Sequence, residues 1–203
     1  MKLALPLLSV FTFLCITPLT ARAEIFATTE SLAAGKVAVA AEFAAGLIDE
    51  TIYALNLQEE VGLASGLDLR LRQGFGLNQG QPIYLEGGVK WTLVHASPRH
   101  RRPGVALWLG GHVRTDGDGF GGDATVSVDY AFQKIRPYVG LDANLDFIND
   151  DTEVLLALIL GAKYRASALL AVFIEGGVDI VGPDALPTAA YAQFISGGIK
   201  LYF

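Results

Sequence analysis

Phe194-Ile195-Ser196-Gly197-Gly198-Ile199-Lys200-Leu201-Tyr202-Phe203 closes the chain, and these ten residues alternate without a break. Successive side chains of an extended strand point to opposite faces. That gathers Ile195, Gly197, Ile199, Leu201 and Phe203 on one side and Phe194, Ser196, Gly198, Lys200 and Tyr202 on the other. A period of two sustained this far reads as a β-strand with one oily face.

The same alternation recurs upstream. It predicts ten segments of roughly ten to fourteen residues, the length that crosses a bilayer at a tilt, near 36–47, 51–62, 67–76, 82–94, 104–114, 124–133, 136–148, 153–165, 168–181 and 190–203. Two are especially clear. Leu67, Leu69 and Leu71 oppose Asp68, Arg70 and Arg72, while Val139, Leu141, Ala143, Leu145 and Phe147 oppose Tyr138, Gly140, Asp142, Asn144 and Asp146. The first segment is the weakest, because Ala-rich Ser31 to Leu47 also suits a helix. Losing a strand pair would leave eight. An even count places both termini on one side of a barrel.

Charges in the connections sort by parity, as that count requires. One set holds Asp49 and Glu50, the turn Asn78 to Gln81, Asp116 with Asp118 and Asp123, Asp150 with Asp151 and Glu153, and Asp184, with no basic residue. The other holds Ala64 to Gly66, the stretch His95 to Pro103 with Arg99, Arg101 and Arg102, then Gln133-Lys134 and Arg165 to Ser167, with no acid. A miscounted strand would mix the two sets. The expectation is acidic loops outside and basic turns on the periplasmic side.

On that orientation the outward Trp91, Tyr130, Phe132, Tyr164 and Phe203 gather toward one end, and Tyr53, Phe75 and Phe147 toward the other. Two aromatic girdles around an aliphatic band fit the two interfaces of a membrane. A soluble barrel or sandwich shares the alternation but calls neither for the banding nor for charge at mid-strand. The reverse face collects Glu42, Glu60, Asp68, Glu86, Asp129, Asp142, Asp146, Glu175 and Asp179, against Arg70, Arg72, Lys90, Arg114, Arg136, Lys163, Arg165 and Lys200, with His112 beside Arg114. Nearly matched opposite charges in a narrow lumen imply mutual ion pairing rather than a selectivity ring of one sign. A lumen that is plugged or very narrow follows from so few strands. Paired glycines recur at Gly87-Gly88, Gly110-Gly111, Gly176-Gly177 and Gly197-Gly198, which suits strands that coil sharply beside long charged side chains.

The other terminus reads as an export signal. Lys2 precedes an apolar run from Leu3 to Leu14, and Ala21-Arg22-Ala23 has the small-x-small pattern of a cleavage site. The expected division is a signal peptide over 1–23 and a β-barrel over 24–203. Cys15, the only cysteine, falls inside the leader, so disulfides and cysteine metal sites are excluded from the processed chain; a lipoprotein anchor at Cys15 is disfavoured by bulky Leu14 before it. Removing Lys2 and Arg22 lowers the basic residues from 15 to 13 against 21 acidic ones, a net charge of −8. Nucleic acid is an unsuitable partner for such a chain.

Little in the sequence carries chemistry. Asp116-Gly117-Asp118-Gly119 resembles the start of a calcium loop, but Phe120 stands where a ligand belongs and no closing glutamate follows. His95 and His100 lie in the basic turn and His112 points inward, so a barrel hydrolase lacks a histidine base at its outer rim. No nucleophile elbow or phosphate loop occurs. No enzyme activity, cofactor or metal is expected.

The terminal aromatic after an alternating strand resembles the targeting strand of Gram-negative outer-membrane β-barrels, which their assembly machinery reads. Gly66-Leu67-Asp68-Leu69-Arg70, Gly88-Val89-Lys90-Trp91 and Asp116-Gly117-Asp118-Gly119 are similar, more loosely, to porin-like barrels grouped with transporters of the phenol meta-degradation pathway. The resemblance implies an antiparallel transmembrane β-barrel in the bacterial outer membrane, touching lipid and lipopolysaccharide. It implies passage of small solutes through a narrow channel or, alternatively, a non-conducting structural or surface-interaction barrel with acidic extracellular loops.

Overall fold

In the computed structural model of the protein, which describes residues 28–47, 52–77, 84–114, 119–148, 151–181 and 193–203, ten antiparallel strands close into one barrel. They are β1 (Val37–Leu47), β2 (Ile52–Ala64), β3 (Leu67–Gly76), β4 (Tyr84–Val94), β5 (Gly104–Arg114), β6 (Gly119–Asp129), β7 (Ile135–Ile148), β8 (Asp151–Arg165), β9 (Leu170–Val181) and β10 (Gln193–Tyr202). Each strand pairs with its sequence neighbours, and β1 closes the ring on β10 from Ala38↔Tyr202 to Leu47↔Gln193. The expected leader, Cys15 and most of the acidic connections lie outside the described residues.

Ten strands settle the choice against eight. β1, the segment that composition also allowed as a helix, is held extended by pairing on both edges, with β10 and with β2. Helix propensity is a weak preference that two ladders of backbone hydrogen bonds override. Its inward residues Ala38, Ala40 and Ala44 are buried, and their small size leaves room for the long side chains opposite.

β6 begins five residues earlier than the alternation predicts and ends at Asp129. Gly119, Gly121 and Gly122 look like loop residues in the sequence, yet Gly119 pairs with β7, and Gly121 and Gly122 with both β5 and β7. At Gly121 the reason is space, because an added Cβ would fall within 3 Å of the His112 ring and of Asp146. Asp123, expected in an acidic loop, is consequently an inward residue of β6. Asp151 and Glu153 likewise belong to β8 rather than to the connection before it.

The barrel is oily outside and charged inside. Leu109, Val126, Leu160 and Ile174 are all about half exposed, whereas Glu60, Asp68, Asp129 and Asp142 are at most 1% exposed. A water-soluble barrel buries its aliphatic residues; this one has the opposite arrangement, that of a barrel whose solvent is hydrocarbon. Both termini of the ring, the start of β1 and the finish of β10, lie at one end, called here the terminal end; the short turns at 65–66, 95–103, 130–134 and 166–169 share it.

Candidate functional site

A segment that belongs to no strand fills the terminal end of the lumen. Residues 33–36 turn over Gly62, with Gly35 in the left-handed region at φ 76° and its N–H donating to the Gly62 carbonyl (2.8 Å). The absence of a side chain at Gly62 permits this turn, since a Cβ there would collide with the Ala33 carbonyl. The chain before it enters the barrel, where Thr28, Thr29 and Leu32 are buried. Gly104 clears space in the same way for the Thr29 hydroxyl.

Wall residues grip this insert on every side. Asp129 accepts from the Thr29 N–H (3.0 Å) and hydroxyl (2.9 Å), and Asp68 accepts from the Leu32 N–H (2.9 Å). Thr92 donates to the Thr29 carbonyl (2.9 Å) and Lys90 to the Glu30 carbonyl (2.7 Å). The Glu30 carboxylate lies against three donors: Lys163 and the Tyr202 hydroxyl (3.3 Å) at Oε2, and Arg165 (3.2 Å) at Oε1. Burial alone would raise the Glu30 pKa, but Lys163, Arg136 and Arg165 outweigh it and hold the carboxyl at about 2.

Above the insert the wall charges pair with one another. Glu60 sits between Lys90 and Lys200, and Lys90 also reaches Asp68 (3.0 Å). Arg136 meets Asp129 at 3.1 Å. Arg72 binds Glu42 (3.0 Å) and approaches Glu86 (3.7 Å). Among the described residues Arg70 has no carboxylate within bonding reach; its guanidinium lies over the Trp108 ring, 5.0 Å from the centroid, and its Nε and Nη1 lack hydrogen-bond partners. Asp142 accepts from Thr125 and Asn144. Glu175 accepts from the Tyr138 hydroxyl at 2.7 Å. Asp179 is half-buried on β9, and Arg114 ends β5 with its side chain outside the described residues.

His112 stands between two carboxylates, with Nδ1 2.8 Å from Asp123 and Nε2 2.9 Å from Asp146. For both contacts to be hydrogen bonds each ring nitrogen must carry a proton. Of the two, the Nδ1 contact with Asp123 meets hydrogen-bond geometry, while Nε2 faces Asp146 Oδ1 at ion-pair distance without doing so.

Two features were absent from the sequence expectation. The insert is one, for residues 28–34 show no period; its signal was Glu30, an acid just beyond the expected cleavage site, in a chain whose inward cations Lys90, Lys163, Arg165 and Lys200 cluster near the strand ends that share its side. The other is an apolar stripe on the inward face, where Tyr138 and Ile159 pack together with Phe194 against them. The outward aromatics sit as follows: Tyr53, Trp91, Phe132, Phe147, Tyr164 and Phe203 are exposed, and Phe75 and Tyr130 partly so. Tyr130 and Phe132 belong to the turn after β6 rather than to the strand, and their rings meet at 4.4 Å. Phe120, which the sequence reading left in a loop, stacks on Phe147 at 5.1 Å.

The chain resembles an outer membrane channel from Pseudomonas putida F1, with a TM-score of 0.60 and 11% identity over 86% of this chain and 98% of that one. The fold is that of an outer-membrane β-barrel. The NanC porin aligns with a TM-score of 0.48 and 8% identity, covering 80% of this chain and 98% of its own, and the outer membrane protease OmpT from Escherichia coli with 0.45 and 10%, covering 87% and 100%. No protein-family model and no curated protein sequence matches the chain.

Proposed function

We propose that the protein resides in the bacterial outer membrane as a narrow channel for small solutes, with its terminal end facing the periplasm and closed by the inserted residues 28–34. The supporting observation is the way the terminal end is sealed. A separate piece of chain occupies the space between the walls there and is held by hydrogen bonds and ion pairs, not by a large apolar contact. Polar contacts of this kind can be taken over by water that enters as the insert leaves, so the insert is a stopper seated in the wall rather than one of its strands. The exposed aliphatic band contacts lipid and lipopolysaccharide, and β10, ending on Phe203, is the strand offered to the assembly machinery.

Planar-bilayer recording on refolded protein tests this. The full chain is expected to conduct rarely and in small steps, and a chain lacking 28–34 to conduct often. Gly104→Val, which drives a side chain into the position of Thr29, is expected to act in the same direction. Silence from all three proteins, with the barrel shown to be folded by heat-modifiable migration, would make it a non-conducting barrel.

A further inference from the structure

We infer that the cradle now holding the Glu30 side chain is a binding site for short aliphatic carboxylates, and that Glu30 with Leu32 is an internal copy of that ligand. The inference rests on the channel reading and names the solute class of its periplasmic end. Three donors converge on one carboxylate from two strands: Lys163 and Arg165 on β8 and the Tyr202 hydroxyl on β10. Both oxygens are engaged, Oε2 by Lys163 and Tyr202 and Oε1 by Arg165, an arrangement suited to a planar two-oxygen anion. Lys163 is buried at 2% exposure, while Arg165 and Glu30 are about a third and a quarter exposed. The cradle thus has a desolvated floor and a wet rim through which a solute can arrive. Arg165 is further fixed by stacking on the Tyr202 ring at 3.7 Å and by donating to the carbonyls of Ser167 (3.0 Å) and Ala168 (2.7 Å).

Beside the cradle lies an apolar patch. Leu32 packs with Ala38, Ala171 and Tyr202, the same tyrosine whose hydroxyl reaches Glu30. When the insert leaves, the place of the Glu30 carboxylate and the place of the Leu32 side chain open side by side. A carboxylate carrying a short hydrocarbon tail fills both, whereas chloride fills neither and phosphate has no use for the apolar half.

Calorimetry and bilayer recording with butyrate as the probe test this together. Butyrate is expected to bind the chain lacking 28–34, and Lys163→Met or Arg165→Met to weaken that binding roughly tenfold or more, the scale of a lost charge-assisted hydrogen bond. In the full chain, butyrate added on the periplasmic side should raise the frequency of openings several-fold over chloride at equal ionic strength, because it competes with Glu30. Should the shortened chain fail to fold, Glu30→Ala in the full chain supplies the emptied cradle for the same binding measurement. Conduction without butyrate binding overturns the cradle and leaves the channel standing. Butyrate binding without conduction does the reverse, and absence of both removes both.

Discussion

The two ends of the lumen solve the problem of buried charge differently. At the terminal end Glu60 has two lysines, Asp129 has an arginine and two donors from the insert, and Glu30 has three donors of its own. Toward the opposite end, among the described residues, His112 stands between Asp123 and Asp146, Glu86 has Arg72 at 3.7 Å and Glu175 a tyrosine hydroxyl, while Glu42 Oε1, Glu86 Oε1 and Glu175 Oε1 lack a hydrogen-bond partner. A dry interior penalises such orphans, so water has most reason to enter beside these three carboxylate oxygens; at the level of Glu60 the unpartnered group is a cation instead, Arg70 through its Nε and Nη1.

The sharpest way to break that contrast is one substitution made at both ends. Glu60→Gln leaves Lys90 and Lys200 buried beside a neutral amide, and removing one partner of a buried ion network costs about 3–5 kcal/mol. Glu86→Gln is equally isosteric and nearly as buried, but its cation is at a distance that makes no hydrogen bond, so the expected change is within about 1 kcal/mol in either direction. Reversible urea unfolding in liposomes, read by tryptophan fluorescence, measures both. Equal losses at the two sites would show that the ends do not differ in pairing.

Between those extremes lies the aromatic side of the lumen. Gly161→Ala places a methyl group where the Tyr138 ring now lies, and overpacking of this kind costs about 1–3 kcal/mol. Tyr138→Phe removes the hydroxyl that Glu175 accepts from, leaving a buried carboxyl without that donor, again at about 1–3 kcal/mol. The same unfolding assay separates them through the double variant. Tyr138→Phe removes the hydroxyl oxygen, one of the three atoms the new methyl group would meet, and keeps the ring carbons, so the double variant should lose less than the sum of the two.

Most of this architecture was written in the alternation, because a barrel wall in lipid needs every second residue apolar and each strand declares that independently. Glu60, Asp68, Arg70, Arg72, Glu86, Lys90, Asp142, Lys163, Glu175 and Lys200 all turn inward by parity alone. What failed to show was whatever depends on a neighbour. Gly119 to Gly122 has the composition of a loop until His112 and the paired strands are beside it. Glu30 is an unremarkable acid in an aperiodic stretch until the barrel closes around it and brings Lys163 and Arg165, more than a hundred positions away, to its carboxylate.

The smallest expected effect on the barrel as a whole is the most telling about its stopper. Glu30 titrates at about 2 in the folded chain against an ordinary value of 4.5, despite burial that pulls the other way. A carboxyl with a depressed folded pKa stabilises fully above its unfolded value and loses that contribution as pH falls through the folded one. The grip on the insert should therefore be complete above about pH 4.5, weaken between there and about pH 2, and be gone below, while the wall, sealed in lipid, stays closed as a ring. The expected signature is increasing protease cleavage within 28–34 and more frequent openings over that interval, both flattened in Glu30→Gln, whose insert is loosely held at every pH. An insert that loosens instead as pH rises, or a Glu30→Gln chain with the same acid profile as the parent, would place the hold on the stopper elsewhere, at Asp129 and Asp68, which grip the backbone and hydroxyl of the insert and not its carboxylate.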